Sequence, residues 1–377
     1  MRIGYYIHSL SIGGAETIVT EYLVSLKKKG HHVFLIVDQY CGSFLEKRIK
    51  DNDIRIYCLD KEMPEEFFAS LLWKIRLRFT SYSLIINRII QCESPDIIHA
   101  HSSIGRLANI SFPIESIFFT IHSDINRYLG MIKRSEKIKL KRMALRGLQF
   151  IALTHVAKDA IQELFPHADI VVIPNGEDLE QIRANAYDRK TFLEDLRISA
   201  DSHIIGHIGR FHPVKNHERI LSIFHQYQKR QNNSYLILVG GDYDNRQNAI
   251  KKKANDLGLS DRVIILGMRP DANRILNVFD TLLFPSFSEC FPLTLIEAQA
   301  IGINCVISDT VPHDVICNSN CVAVSLQKDD AEWVSEIINN ETLESINTNN
   351  NKINQFDLNS VLDTTIDVYK THVYKTV

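Results

Sequence analysis

Two glutamates eight positions apart, Glu289 and Glu297, mark the part of the chain best suited to bind a ligand. A largely apolar strand is predicted at 281–285, and Pro292 and Gly302 are typical of the first turn and the end of a helix. Glu289 therefore falls in a strand-to-helix loop at the carboxyl edge of a sheet, where open α/β folds bind ligands. Because the first helical turn has free N–H groups, an anion fits between the two carboxylates. The pattern predicts a site for a phosphate-bearing ligand with hydroxyl groups at both ends.

Two cations follow an earlier predicted strand. The strand at 203–209 leads directly to Arg210, and Lys215 comes shortly after it. Arginine binds phosphate with a fork of N–H donors, and lysine adds a compact positive charge. A nearby Arg/Lys pair, a helix start and two carboxylates together predict a site for a nucleotide-sugar diphosphate.

Four motifs carry a resemblance to a known family. They are Gly13-Gly14-Ala15-Glu16; Ile173-Pro174-Asn175-Gly176; Gly209-Arg210 with Lys215-Asn216-His217; and Glu289 to Glu297 followed by Ala298. In this order and spacing the chain resembles the family 4 retaining glycosyltransferases of GT-B fold, from residue 1 to about 310. Segments 296–300 and 308–310 look most like bacterial enzymes of capsular and exopolysaccharide assembly.

The resemblance implies roles for individual residues. Glu289 would contact the donor sugar, and Glu297 would hold the ribose hydroxyls with its carboxylate. Arg210 and Lys215 would stabilise the departing diphosphate, because cations placed where negative charge develops lower the barrier. His122, at the end of a predicted strand, would approach a distal hydroxyl of the donor sugar. The other candidate donor-binding residues are Gly13, Gly14, Cys290, Phe291, Leu293, Thr294, Asn175 and Arg269.

Alternating strands and helices predict an α/β fold with doubly wound parallel sheets. Strands are expected near 2–8, 32–37, 54–59, 96–100, 117–121, 149–153 and 170–173, and again near 204–208, 235–239, 262–266, 281–284 and 304–307. The resemblance implies two Rossmann-like domains facing across a cleft, which His99 and His101 are expected to line. We place the acceptor-side domain at 1–174 and the nucleotide-sugar-binding domain at 175–357. The resemblance also implies a C-terminal helix, at about 358–377, that crosses back to the first domain.

Composition indicates a globular protein of the cytoplasm. The 377 residues are 45% hydrophobic and 23% charged, which is typical of a soluble protein with two domains. No run of 18 apolar residues predicts a spanning helix, and the N-terminus lacks the pattern of a signal peptide. The seven cysteines are odd in number and form no CxxC pair, which favours reduced thiols and no structural zinc.

Charge is distributed unevenly along the chain. The first 176 residues carry a net charge of +5 and the rest carry −7. Cations alternate with apolar residues at 73–79 and 133–142, which suits helices at the inner face of the plasma membrane. No nucleic-acid motif accompanies these charges, so a nucleic-acid partner is not expected. The expected partners are a nucleotide sugar, a polyprenyl-linked saccharide or other glycan acceptor, and an anionic membrane surface.

No cofactor or metal is expected beside the nucleotide-sugar donor. Arg210 and Lys215 take the part that Mg²⁺ would otherwise play at the leaving group. Two Asp-x-Asp triplets occur, at 51–53 and 242–244. The second follows a predicted strand and is the better metal candidate.

These observations favour a retaining hexosyl- or N-acetylhexosaminyltransferase that uses a UDP-sugar, with a lipid-linked saccharide as acceptor. The departing phosphate oxygen would take the proton of the acceptor. One alternative is a UDP-sugar 2-epimerase of the same fold, and another is a nucleotide-sugar-binding protein without activity. A nicotinamide dehydrogenase is disfavoured, because the dinucleotide fingerprint is missing.

Overall fold

The computed structural model describes residues 1–11, 13–60, 73–341 and 351–375. The chain divides into two compact units, Met1–Gly176 with Leu358–Val377 and Glu177–Asp357. The boundary that we placed after residue 174 lies close to Gly176. Of the predicted segments, the side chains of 73–79 lie outside the described residues.

The first unit contains a seven-stranded parallel sheet in the order β3-β2-β1-β4-β5-β6-β7. Its strands are β1 Arg2–Ile7, β2 His32–Val37, β3 Arg55–Cys58, β4 Ile97–His101, β5 Ile117–Thr120, β6 Gln149–Ala152 and β7 Asp169–Val172. Its helices include α1 Gly14–Lys28, α2 Phe44–Asp51, α3 Trp73–Glu93, α4 Ile125–Met131, α5 Arg134–Ala144 and α6 His155–Leu164. The winding reverses between β1 and β4, the kind of point at which open α/β sheets bind ligands.

The second unit contains a six-stranded parallel sheet in the order β10-β9-β8-β11-β12-β13. Its strands are β8 His203–Ile208, β9 Ser234–Val239, β10 Val263–Gly267, β11 Thr281–Phe284, β12 Asn304–Ser308 and β13 Cys321–Val324. Its helices include α7 Leu179–Ala184, α8 Arg189–Asp195, α9 His217–Arg230, α10 Arg246–Asp256, α11 Ala272–Ile275, α12 Leu293–Ala300, α13 Asp330–Glu341 and α14 Asn351–Asn354. Here the winding reverses between β8 and β11, the strands that precede Arg210 and Glu289.

The last helix, α15 (Leu358–Lys375), belongs to the first unit. Its Tyr369 is fully buried, and its Asp363 lies 2.6 Å from the ammonium group of Lys29. A Cβ added to Gly176 would lie 2.9 Å from the Cα of Leu358, so only glycine allows this close approach.

The predicted fold class is confirmed, since both sheets are parallel and doubly wound. The predicted helix between Pro292 and Gly302 is α12, with Pro292 as its N-cap residue and Gly302 at φ +83°. Both signals are local, which explains why the sequence places this helix well. Strand β13 was missing from the sequence prediction.

Candidate active site

Lys215 and Glu289 meet at the carboxyl edge of the second sheet. Lys215 ends a single 3₁₀ turn after β8, and Glu289 lies in the loop after β11. The Lys215 Nζ lies 2.7 Å from the Glu289 Oε1, and the two side chains are only 19% and 10% exposed. Because β8 and β11 are neighbours at the switch point, the sheet order brings this cation and carboxylate together across 74 residues of sequence.

Backbone and side-chain hydrogen bonds tie these two loops to each other. Asn216, in the left-handed conformation at φ 55°, donates from its Nδ2 to the carbonyl of Pro285 at 3.1 Å. The N–H of Phe287 donates to the carbonyl of Val214 at 2.8 Å. The position of Lys215 relative to Glu289 is therefore set by the two loops as well as by their own ion pair.

Residues that the sequence analysis did not assign support the loop before α12. The hydroxyls of Ser308 and Thr310 both donate to the carbonyl of Ser286 at 2.6 Å. Phe356 was also unassigned; it packs edge-on against the donor-binding candidate Phe291, which is buried, with ring centroids 5.5 Å apart. The only sequence signal for the two hydroxyls is their place at the end of β12.

A close backbone approach shapes the loop that carries Arg210. A Cβ added to Gly240 would lie 2.0 Å from the carbonyl oxygen of Gly209, so the loops after β8 and β9 touch only because Gly240 has no side chain. Arg210 follows Gly209 directly and is exposed. Its guanidinium is thus available to a ligand at the same edge as Lys215.

Helix α12 begins at this edge and carries Glu297. Its N-cap residue, Pro292, offers no side-chain hydrogen bond to the first turn, so the backbone N–H groups near Leu293 and Thr294 can bind an anion. Cys290 and Glu297 are both partly buried. Burial raises the pKa of Glu297 to about 7, because a desolvated carboxylate is less stable than the neutral acid.

Arg269 lies at the carboxyl edge of the same parallel sheet as these residues. It follows β10, the edge strand two places from β8. Its Nε and Nη2 bind the two carboxylate oxygens of Asp271 at 2.8 and 2.6 Å, and the Tyr187 hydroxyl bonds to the same carboxylate. The Arg269 guanidinium holds the pKa of Asp271 well below its usual range, so its own charge is already neutralised.

In the first unit, histidines gather at the ends of β4 and β5. The Nδ1 of His101 lies 2.9 Å from the Nε2 of His122. His99 bonds through Nε2 to the Thr120 hydroxyl at 2.8 Å and through Nδ1 to the Tyr369 hydroxyl at 2.6 Å. Sequence reasoning placed the histidines here but could not show that α15 supplies Tyr369.

Burial keeps these three imidazoles neutral near pH 7. It lowers the pKa of His99 to about 3 and that of His122 to about 4, and it holds the pKa of His101 well below its ordinary value. A neutral pair shares one proton in its hydrogen bond, so one of the facing nitrogens of His101 and His122 donates and the other accepts.

The glycine motif and Asn175 occupy different surroundings in the first unit. Gly13 is the N-cap residue of α1, and Gly14 is exposed at its first position. Asn175 is buried and lines a cavity of about 10 Å³ with His99 and His101. That volume is about the size of a single water molecule.

The better of the two Asp-x-Asp triplets already has local partners. The Asp242 Oδ1 accepts hydrogen bonds from the backbone N–H groups of Tyr243 and Gln247, both at 2.9 Å. Within the described ranges, no group of three or more His, Cys, Asp and Glu side chains is placed to hold a metal ion.

None of the described helices is both long enough and apolar enough to cross a membrane.

A buried carboxylate that the sequence analysis missed lies at the carboxyl edge of the first sheet. Asp38 follows β2 and accepts hydrogen bonds from the Tyr6 hydroxyl at 2.9 Å and from the His8 Nδ1 at 2.7 Å. The Arg106 Nε lies 3.2 Å from the same carboxylate. Asp38 comes just after one predicted strand and His8 is the last residue of another, which was the available signal.

Two family models match the chain one after the other. The model for glycosyltransferase family 4 matches residues 12–181, and the model for glycosyl transferases group 1 matches residues 188–354. A glycosyltransferase named EpsF from Bacillus subtilis (strain 168) is 31% identical over 192 residues. That match covers 49% of this chain and 50% of EpsF, so it spans half of the relative's length.

Two further comparisons cover more of the chain. The UDP-Gal:alpha-D-GlcNAc-diphosphoundecaprenol alpha-1,3-galactosyltransferase of Escherichia coli is 28% identical over 284 residues, 70% of this chain and 69% of that protein. The crystal structure of Anabaena HepE in complex with UDP and glucose has a TM-score of 0.75 at 18% identity, and the match covers 98% of this chain and 100% of that one. Given the two consecutive family models and the two parallel-sheet units, the chain belongs to the family 4 glycosyltransferases of GT-B fold.

Proposed function

We propose that this protein transfers a sugar from a UDP-sugar to a lipid-linked saccharide in cell-surface polysaccharide synthesis, with retention of the anomeric configuration. The meeting of Lys215 with Glu289 at the switch point of the second sheet carries the proposal. HepE was crystallised with UDP and glucose, and the Escherichia coli relative is named for a UDP-Gal donor and a diphosphoundecaprenol-linked acceptor. Both support these ligand classes.

The donor diphosphate would bind between the cations and the start of α12. The Lys215 ammonium has three N–H donors, so it can bind phosphate while it keeps its hydrogen bond to Glu289. A lysine shared in this way fixes the Glu289 carboxylate beside the sugar. Arg210 adds a second cation, and Glu297 would accept hydrogen bonds from the ribose hydroxyls.

In the proposed reaction, the bond between the anomeric carbon and the β-phosphate oxygen breaks. The acceptor oxygen bonds to the same face of that carbon, and its proton passes to the departing phosphate oxygen. Negative charge grows on the diphosphate during this step. Lys215 and Arg210 lower the barrier because they already stand where that charge develops.

A panel of nucleotide sugars tests the donor class by thermal shift, since a ligand that binds only the folded state stabilises it. We expect UDP-sugars to raise the unfolding temperature more than GDP- or ADP-sugars. Transfer to a GlcNAc-diphospho-lipid should follow with the best donor, and the new linkage should keep the configuration of the donor. Conversion of the UDP-sugar alone into its 2-epimer, or inversion on transfer, would contradict the proposal.

Calorimetry with glutamine variants tests the two glutamate roles. Glu297→Gln should weaken the binding of UDP and of the UDP-sugar alike, because both ligands contain the ribose. Glu289→Gln should weaken the binding of the UDP-sugar more than the binding of UDP. Equal losses for both ligands in both variants would rule out this division.

We also propose that the protein works in the cytoplasm, at the inner face of the plasma membrane. Helix α5 exposes Lys137, Lys141 and Arg142 to solvent. Near them, Ile138 and Leu145 are 46% and 69% exposed. Cations beside exposed apolar side chains suit an anionic membrane surface.

A further inference from the structure

Asp38 fixes the tautomer of His8. Asp38 is 3% exposed, and the Arg106 Nε lies 3.2 Å from its carboxylate. An ionised carboxylate only accepts hydrogen bonds, so the His8 Nδ1, at 2.7 Å, must be the donor. In the neutral ring, the Nε2 of His8 is then an acceptor with a free lone pair.

The position of His8 points this acceptor at a ligand edge. His8 directly follows β1, at the switch point between β1 and β4, and its side chain is 58% exposed. Among the described residues, none is in hydrogen-bond contact with its Nε2. An imidazole oriented by a buried carboxylate, with its second nitrogen open, is suited to accept a hydrogen bond from a substrate hydroxyl.

A second histidine in the same unit also contacts a carboxylate, so a histidine–carboxylate contact does not by itself indicate a ligand site. The His32 Nε2 lies 2.7 Å from the Glu93 carboxylate, and the two side chains are 46% and 8% exposed. However, His32 is the first residue of β2 and therefore lies at the amino edge of the sheet. Open α/β sheets bind ligands at the opposite edge.

We propose that His8, oriented by Asp38, binds the saccharide acceptor through a hydrogen bond from an acceptor hydroxyl to Nε2. Asp38 is the positioning residue, held in turn by Tyr6 and Arg106. This inference rests on the proposed function, because the hydroxyl belongs to the acceptor of that transfer. It assigns acceptor recognition to a residue of the first unit outside the four family motifs.

Two substitutions at His8 separate the nitrogen atoms. His8→Asn keeps an amide near Asp38 but removes the acceptor at the Nε2 position, whereas His8→Gln places an amide near that position. With a GlcNAc-diphospho-lipid as acceptor probe, His8→Asn should raise the acceptor KM about tenfold, the effect expected from loss of one hydrogen bond. His8→Gln should recover part of this loss. The donor KM should not change.

His32→Asn is the matched control, since it removes the same chemical group from the opposite edge of the same sheet. It should leave the acceptor KM unchanged. Equal effects of His8→Asn and His32→Asn on the acceptor KM would overturn the inference. A change in the donor KM alone in His8→Asn would also overturn it.

Binding measurements separate this inference from the proposed function. If the parent protein binds no UDP-sugar by calorimetry, the proposed function fails. Binding of the acceptor probe is measured separately in the parent and in His8→Asn. Weaker binding in the variant supports the role of His8, and unchanged or undetectable binding in both proteins overturns it.

Discussion

Lys215 and Glu289 depend on each other at the level of single residues. Each is mostly removed from solvent, and each neutralises the charge of the other across 2.7 Å. Removal of one partner leaves a poorly solvated charge on the other, so a variant at either position affects the folded site as well as the ligand. Arg210 is exposed and carries no such penalty.

Alanine variants of the two cations should therefore differ in stability, but both should lower the rate of catalysis. We expect Arg210→Ala and Lys215→Ala each to lower kcat by roughly 10²-fold or more, the usual cost of losing one charge-stabilising group. Lys229→Ala, which removes an exposed cation from α9, is the control and should retain parent turnover. Near-normal turnover in both active-site variants would refute the diphosphate assignment.

The raised pKa of Glu297 makes donor binding depend on pH. Burial raises the pKa of Glu297 to about 7, so the protonated acid becomes the main form as the pH falls below neutral. In the proposed site the ribose hydroxyls would need the carboxylate as an acceptor, so affinity for a UDP-sugar should fall as the pH drops below 7. The fall should approach tenfold per pH unit and level off above about pH 8.

Calorimetry with UDP-glucose across this range measures the effect in the parent protein. Glu297→Gln should bind more weakly at high pH and lose the dependence. A parent affinity that stays constant through neutral pH would mean that Glu297 does not accept the ribose hydroxyls as a carboxylate.

Metal removal tests whether the two cations alone serve the leaving group. We expect turnover to survive excess EDTA, because in the proposed site Lys215 and Arg210 would supply the positive charge. Loss of turnover in EDTA, with rescue by Mn²⁺, would reverse this expectation. Asp242 and Asp244 would then be the first residues to substitute.

At the scale of elements, α5 combines a core face with a basic face. Leu140, Met143 and Ala144 are buried, so most of its apolar residues pack inward. Near its end, Lys139, Arg142, Leu145 and Arg146 line a groove of about 380 Å³. Membrane contact through α5 would therefore be mainly electrostatic, with Ile138 and Leu145 as the exposed apolar contribution.

Binding to anionic vesicles should follow from this basic face. Each cation near the surface contributes about 1 kcal/mol, screened within a Debye length, so binding should weaken steeply with salt and be negligible on neutral vesicles. Substitution of Lys137, Lys139, Lys141 and Arg142 by Ser should release the protein while turnover on a short soluble acceptor remains.

A matched charge change in the second unit controls for net charge. Lys229, Arg230, Lys251 and Lys252 are exposed on α9 and α10, and their replacement by Ser removes the same charge. This variant should still sediment with anionic vesicles. Equal release of both variants, or sedimentation that does not depend on salt or lipid charge, would mean that α5 does not bind the membrane surface.

At the scale of the whole molecule, buried histidines in both units should make the protein sensitive to acid. Their pKa values all lie below the ordinary 6.5; the residues are His99, His101, His122, His207 and His217. Between about pH 6.5 and pH 4 the unfolded chain therefore binds protons that the folded chain does not. Stability should fall with pH in this window, by up to about 1.4 kcal/mol per pH unit for each histidine.

Urea midpoints measured through this window check the prediction. His99→Gln should reduce the slope of stability against pH, although it also removes the hydrogen bond from Tyr369 and lowers stability at neutral pH. His167→Gln, at an exposed position, should leave the slope unchanged. A midpoint that is flat from pH 6.5 to pH 4.5 would contradict the neutral burial of these imidazoles.

The sequence by itself determined the elements and the family motifs, because their signals are local. Pro292 and Gly302 bracket α12, and apolar runs separated by helices predict the two parallel sheets. The residue types around Glu289 and Lys215 were also sufficient to indicate a diphosphate site. None of these inferences needed to know which strands are neighbours.

Tertiary structure decided which side chains meet, since strand order is set by packing of the whole sheet. It joined Lys215 to Glu289 across 74 residues and His8 to Asp38 across 30. It also paired Arg269, which follows the edge strand β10, with Asp271. The apolar pattern of a strand predicts that the strand is buried, but it does not show which strands lie beside it. Only the folded sheet shows the order of its strands.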